Sequence, residues 1–275
     1  MKLSTPVDIP ASVYKIDHQT PILLIGSCFA DAMGQRLLHD GFNATVNPTG
    51  ILYNPLSIAQ AIIGDGHFDI VEHDGLWHSM QHHGQFSRPT AEELTKAVLE
   101  ANTLLYNALN KAERIIVTFG TAFVYEYHNR IAANCHKLPE SEFKRFMVNE
   151  NQIVAAWKPL LNRYKDKQWL FTISPIRHIR DGLHENNLSK ATLLLATNTL
   201  IKSFDNVTYF PAYEIINDEL RDYRFYADDL VHPSNLAEDY VYERFKDCFM
   251  TESVKNEARL RYKEWLRSQH RELHV

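Results

Sequence analysis

Apolar residues fall along this chain in two alternating styles: short unbroken runs, and longer stretches in which they recur every three or four positions. Pro21-Ile-Leu-Leu-Ile25 is an unbroken run that stops at Gly26, the pattern of a parallel strand buried on both faces. Ala30, Met33 and Leu37 then recur at helical spacing until Gly41. A short strand is expected within Phe42 to Val46, and Pro55 to Ile63 reads as a helix with proline in its first turn. From Ala91 to Ala112, Leu94, Val98, Leu105 and Leu109 mark one face of a long helix. Ile115-Ile-Val117 predicts the next buried strand, ending at Phe119-Gly120. Helical spacing returns over Val148 to Tyr164, and Trp169-Leu-Phe-Thr-Ile173 predicts a strand that stops at Ser174-Pro175. A helix over Asn187 to Phe204 and a strand over Val207 to Phe210 follow. Asn235 to Phe249 and Glu252 to Arg271 close the chain as two charged helices.

Four strong strands interleaved with helices predict an α/β fold, a three-layer α/β/α sandwich around a mostly parallel sheet. One stretch departs from the alternation. Asp74-Gly75 sits between Ile70-Val71 and Leu76-Trp77, a hairpin signal inside an insertion of about residues 66–90. Residues 250–275 read as a helical extension. No internal repeat or Pro/Gly-rich linker divides the 275 residues, so one domain spanning 1–275 is expected.

Composition narrows the function classes. With 45% hydrophobic and 23% charged residues, the chain has ordinary globular make-up. A net charge of −5, with Lys and Arg scattered among acids, gives no basic face for nucleic acid. No run approaches the roughly 20 apolar residues of a bilayer span, so no membrane partner is expected. Met1 to Gln19 mixes Asp8, Lys15 and Asp17 with apolar residues and carries no secretory h-region. Cys28, Cys135 and Cys248 are widely spaced and odd in number, which suggests neither disulfides nor a zinc site. The resulting expectation is a cytoplasmic protein with free thiols and no cofactor; the pattern sets no oligomeric state.

In parallel sheets the ligand crevice lies beyond the carboxyl ends of the strands. Gly26-Ser27-Cys28, Phe119-Gly120-Thr121 and Ile173-Ser174-Pro175 are the strand ends with unusual residues. At the first, glycine permits a tight turn and the next residues open a helix. Free N–H groups and the helix dipole there stabilise an anion. A thiol so placed is expected to have a depressed pKa, and a tetrahedral oxyanion gains from the same field. The bland alternative is that Ser27 caps the helix and Cys28 packs as a small apolar residue. Near the other end of the chain, Asp229-Leu-Val-His232-Pro233 spaces a carboxylate three residues before an imidazole, suited to orienting a base; Asp228 is a substitute for Asp229. Nucleophile after the first strand and Asp-x-x-His after the last is a more specific arrangement than either part.

With these runs the chain resembles the GSCFA family: Gly26-Ser27-Cys28-Phe29-Ala30, Asn47-Pro-Thr-Gly50-Ile-Leu-Tyr-Asn-Pro55, Phe119-Gly-Thr-Ala-Phe-Val-Tyr125, Asn134-Cys-His-Lys-Leu-Pro139, Ser174-Pro-Ile-Arg-His178 and Asp229-Leu-Val-His232-Pro233. The resemblance covers roughly Ile22 to Phe245. GSCFA proteins in turn resemble the SGNH hydrolases, whose four blocks supply a nucleophile, two oxyanion donors and a catalytic histidine. That likeness implies an SGNH-like fold and the following roles. The first block, G-D-S, sets Gly26 on glycine and Cys28 on the nucleophile; a shift of one residue would set Ser27 there, and both stay candidates with Cys28 slightly ahead. Gly50 matches the second-block glycine, whose N–H would face an oxyanion. The third block, G-x-N-D, falls on Gly120-Thr121-Ala122-Phe123, so its asparagine is missing, leaving Asn134 or Thr121 to reach the same place. Asp229 and His232 match the last block.

Other side chains enter as minor candidates. His73, His78, His82 and His83 form a local cluster, but the hairpin reading removes the helical i, i+4 geometry that zinc would need, and no metal is expected. His136 follows Cys135 in a loop that could face the site. Arg177, His178 and Arg180 follow a strand end and could hold a substrate carboxylate or phosphate, or simply face solvent. Trp77 is the aromatic residue most suited to a sugar platform. Together these features imply an ester hydrolase acting on a small acyl ester, with carbohydrate O-acetyl groups as the analogy-based substrate class. Acyl transfer at the same residues, and a binding module that has lost the chemistry, are the rival classes.

Overall fold

The computed structural model describes residues 4–271. In chain order its elements are β1 (Ile22–Gly26), α1 (Cys28–His39), β2 (Ala44–Val46), α2 (Pro55–Ile63), β3 (Ile70–His73) and β4 (Leu76–Ser79). Then come α3 (Ala91–Lys111), β5 (Arg114–Phe119), β6 (Phe123–Tyr127), β7 (Arg130–Ala132), β8 (Lys144–Met147), α4 (Glu150–Arg163) and β9 (Gln168–Ile173). The chain ends with α5 (Leu183–Ser203), β10 (Val207–Tyr209), the short α6 (Ala212–Glu214), α7 (Asn235–Phe249) and α8 (Glu252–Arg271).

Five strands form one parallel sheet in the order β10-β9-β5-β1-β2. Side chains alternate across it, which is why the central strands read as unbroken apolar runs. Leu23 and Ile25 of β1, Ile115, Val117 and Phe119 of β5, and Trp169, Phe171 and Ile173 of β9 meet α2, α4 and α5 on one face. Ile22 and Leu24, Ile116 and Leu170 point the other way, against Phe29 and Leu37 of α1 and Val241, Phe245 and Phe249 of α7. Helices thus cover both faces, giving the expected α/β/α layering.

The order has a consequence for chemistry. Counting only strands of this sheet, the sequence is 2-1-3-4-5, and the chain leaves β1 in opposite directions along the sheet on either side. Loops after β1 and β5 therefore part, opening a crevice at their carboxyl ends. Both Gly26 and Gly120 lie there.

Two small antiparallel units stand outside the sheet. The β3–β4 hairpin turns at Asp74-Gly75, as the sequence suggested. Strands β6, β7 and β8 form a three-stranded sheet that the apolar pattern gave no sign of. Its strands are three to five residues long and half exposed, so their alternation is too brief to stand out. No described helix is long and apolar enough to cross a membrane.

Candidate active site

The turn after β1 is held from three sides. Gly26 has φ +143°, and a Cβ there would lie 2.2 Å from the Thr118 carbonyl oxygen, so the β5 backbone leaves room only for glycine. The Gly26 N–H donates to Asn47 Oδ1 at 2.9 Å, and the Ser27 N–H donates to Thr118 O at 3.1 Å. Ser27 caps α1, its Oγ accepting the Phe29 N–H at 3.3 Å, and the residue is only 1% exposed. The helix therefore occupies that hydroxyl. Cys28, the next residue, opens α1 and is partly exposed. Its N–H has no backbone acceptor among the described residues, as expected for the first turn of a helix.

A lowered thiol pKa, expected from the helix start, is not found at Cys28. Burial raises the thiol above its ordinary value, and Glu238 adds to that. The N–H groups of Cys28 and Phe29 and the cation of Lys190 pull the other way without prevailing. Desolvation thus wins over the helix field, and the thiol needs a base to become a nucleophile.

The candidate base, His232, stands on the loop before α7. His232 Nδ1 lies 2.7 Å from Asp229 Oδ2, while Asp229 Oδ1 accepts the N–H groups of Val231 and His232 at 2.9 and 3.0 Å. Those two amides and the imidazole hold the Asp229 carboxyl at about 2. An ionised carboxylate can only accept, so Nδ1 carries the proton and Nε2 is left as the acceptor. Asp229, rather than Asp228, is the carboxylate on this imidazole. Leu230 between them sits at φ +56°, an uncommon conformation for a bulky residue. Arg177 ties this loop to the end of β9: its N–H donates to Val231 O at 3.2 Å and its guanidinium to Leu230 O at 3.3 Å. Because all five strands are parallel, the end of β9 and the end of β1 lie on the same edge of the sheet.

The expected oxyanion donors fare differently. The Gly50 N–H donates to Asn47 O at 2.8 Å, so it does not project into the crevice. Its glycine is needed for another reason: φ is +79°, and a Cβ would lie 2.3 Å from His83 Cβ of the insertion. The N–H groups of Gly120 and Thr121 both donate to Tyr53 O, at 2.8 and 3.0 Å. Thr121 Oγ1 shares a hydrogen bond with Ser189 Oγ and accepts the Phe123 N–H. These are corrections to the roles carried over from the superfamily, since each group is spent on holding loops together. Asn134 Oδ1 accepts the His136 N–H, and His136 Nε2 bonds Ser79 O at 2.8 Å, which places both residues in the wall built by the insertion. The Cys28 N–H, at the start of α1, has no backbone acceptor among the described residues and lies beside its own thiol.

Three residues outside the sequence-based set, Lys190, Glu238 and Asn47, shape the mouth together with His178, which the sequence had offered as an anion ligand. Lys190 on α5 is fully buried, and its Nζ donates to Gly120 O at 2.6 Å and Ser174 O at 2.7 Å, joining the ends of β5 and β9. Burial lowers its pKa to about 7. His178 packs edge-on to Tyr53, and burial, with Lys190 and His232 adding like charge, lowers its pKa to about 4. Glu238, in the first turn of α7, acts electrostatically on both Cys28 and His232. Asn47 aims Oδ1 at the Gly26 amide, while its buried Nδ2 has no partner among the described residues. Lys190 did leave a trace in the sequence: Asn186, Lys190, Leu193 and Thr197 follow the inward face of α5, so the period assigns a lysine to the core.

The histidine cluster is structural. His78 bonds Ser87 Oγ and His73 O, and His82 bonds Ser79 Oγ and Asn102 Oδ1, so both rings are fully engaged. Among the described residues no group of three or more His, Cys, Asp and Glu side chains is placed to hold a metal ion. Trp77 bridges to Arg88 within the insertion. The three cysteines are free thiols.

A model of the GSCFA family matches residues 21–245, which takes in the turn after β1, the Lys190 helix and the Asp-x-x-His loop. No curated protein matches the chain.

Proposed function

From the premise that this chain belongs to the GSCFA family, we propose that it is an ester hydrolase of SGNH type with Cys28 as nucleophile. Family membership suggests a hydrolase-like protein; the reaction and residues are our reading. It is supported most by one convergence: a helix-opening thiol after β1 and an Asp229-held imidazole share the carboxyl edge of one parallel sheet.

His232 Nε2 takes the Cys28 proton as Sγ bonds to the ester carbonyl carbon. Negative charge moves to the carbonyl oxygen, which the Cys28 N–H and the dipole of α1 stabilise. Collapse breaks the ester C–O bond, and the leaving alkoxide takes the proton from His232. Water then attacks the thioester carbonyl carbon, giving a proton to Nε2; the C–S bond breaks, Sγ takes that proton back, and the carboxylic acid leaves. Asp229 holds the ring and stabilises its charged form. The substrate in this reading is a small acyl ester on a carbohydrate. Ser27 serves as the cap of α1 in this scheme, not as the attacking group.

Hydrolysis of a short-chain aryl acetate by the unaltered protein, Ser27→Ala, Cys28→Ala and His232→Ala tests it. Cys28→Ala and His232→Ala should each lose at least about 10³-fold in kcat, and a labelled acyl group should be trapped on Cys28. Equal rates in all four proteins would end the hydrolase reading; activity that vanishes only in Ser27→Ala would move the nucleophile. Polyol acceptors added to the assay distinguish hydrolysis from acyl transfer by product.

A further inference from the structure

Beside the His232 loop lies a cleft of about 270 Å³, and its chemistry differs from that of the mouth. Arg177 and Arg221 line it together with Tyr213, Tyr223, Tyr226 and Asn187. Neither arginine has a carboxylate within ion-pair distance among the described residues. The Arg177 guanidinium is held instead by Leu230 O and by the faces of Tyr223 and Tyr226, 5.8 and 5.6 Å away. The acid that also lines the cleft, Asp222, is occupied by the Arg224 N–H and guanidinium. Behind the wall, Lys190 Nζ lies 6.0 Å from the Tyr213 ring. Two guanidinium groups without a carboxylate partner among the described residues therefore face this cleft, while the acids behind it, Glu214 and Asp218, act on the Tyr213 ring.

We propose that this cleft is the subsite for a sugar ring that bears a carboxylate or phosphate, which narrows the substrate class of the hydrolase reading on which its orientation rests. Each guanidinium fork can engage two oxygens of either anion, and tyrosine faces with Asn187 suit the apolar and hydroxylated sides of the ring. The volume admits one such ring rather than an extended chain.

Backbone around the cleft is unusual in the same place. Residues Ile215–Leu220 form a π-helical turn ending in Arg221 at φ +32°. Such turns are rare and carry a cost that the surrounding structure must offset. Here the widened turn puts Arg221 on the rim. The cleft also shares its wall with the catalytic loop: Tyr226 pairs with Pro233, and Arg177 donates its N–H to Val231 O. A ring held by the arginines would thus abut the loop that carries His232.

Titration of the full chain carrying Cys28→Ala with glucuronate, glucose 6-phosphate and glucose, followed by ligand NMR, tests the subsite without any need for turnover. Both charged sugars should bind at least tenfold more tightly than glucose. Arg221→Met in the same chain should abolish that preference, and Tyr223→Ala should weaken all three sugars. Equal affinity for the three, no binding of any, or a preference that survives Arg221→Met would overturn the proposal. Inorganic phosphate binding as tightly as glucose 6-phosphate would overturn the sugar part and leave a bare anion site. The hydrolase reading fails separately, in the aryl acetate assay, whatever these titrations give.

Discussion

Lys190 Nζ donates to the Gly120 carbonyl at 2.6 Å, a bond that makes a fully buried cation part of the turn after β5. The same nitrogen reaches Ser174 O, so one side chain sets the spacing of two strand ends. Lys190→Met should orphan both carbonyls, at about 1–3 kcal/mol each, offset in part by removing a buried charge. A net loss of about 2 kcal/mol in urea unfolding is expected. A structural role would end there. Because the cation also favours the Cys28 thiolate, the pH midpoint of Cys28 alkylation should rise in this variant.

Asp229→Asn removes the group that fixes the imidazole tautomer. Aryl ester turnover should fall about 10²- to 10⁴-fold with little change in KM. Since the Asp229 carboxyl sits at about 2, it stays ionised through the acid range. Protonation of Asp229 itself therefore does not set the acid limb of the pH–rate profile.

Glycine substitutions separate steric need from turn preference. Gly26→Ala sets a Cβ against a backbone oxygen and should cost about 3–5 kcal/mol in thermal or urea unfolding. Gly75→Ala, at φ +73° with open space around it, should cost about 1 kcal/mol. A Gly26→Ala protein as stable as the Gly75→Ala protein would contradict the close approach of β1 and β5.

Acid should destabilise the fold before the carboxylates titrate. Burial, first of all, lowers His136 and His178 to about 4, while in the unfolded chain a histidine titrates near 6.5. Between those values the unfolded chain binds more protons, so stability present above pH 6.5 is lost as pH falls toward 4. Each ring contributes up to about 1.4 kcal/mol per pH unit within that window. Urea unfolding at pH 7.5, 6 and 5 measures the slope, and His136→Gln should flatten it.

Much of the fold was legible because burial on two faces leaves an unmistakable trace. The runs at Ile22, Ile115 and Trp169 became β1, β5 and β9, and the Asp74-Gly75 hairpin formed where the turn residues put it. Strands β6 to β8 were not legible, being short and half exposed. At the candidate site, side-chain identity was readable but hydrogen-bond partners were not. Nothing in Gly50 or Thr121 as letters tells that their polar groups are consumed by Asn47 and Ser189. Nor could a helix-start argument weigh dehydration against the dipole at Cys28, which depends on how deeply the first turn of α1 is covered.

The 2-1-3-4-5 strand order also dictates when this mouth can exist during synthesis. A nascent chain released as far as residue 210 already holds every strand of the main sheet, the thiol and the buried lysine. It still lacks the imidazole, because His232 follows the last strand and reaches its place through Val231 and Arg177. Any chemistry that needs this imidazole would then be withheld from the ribosome-bound protein until the residues that follow the last strand have emerged and docked.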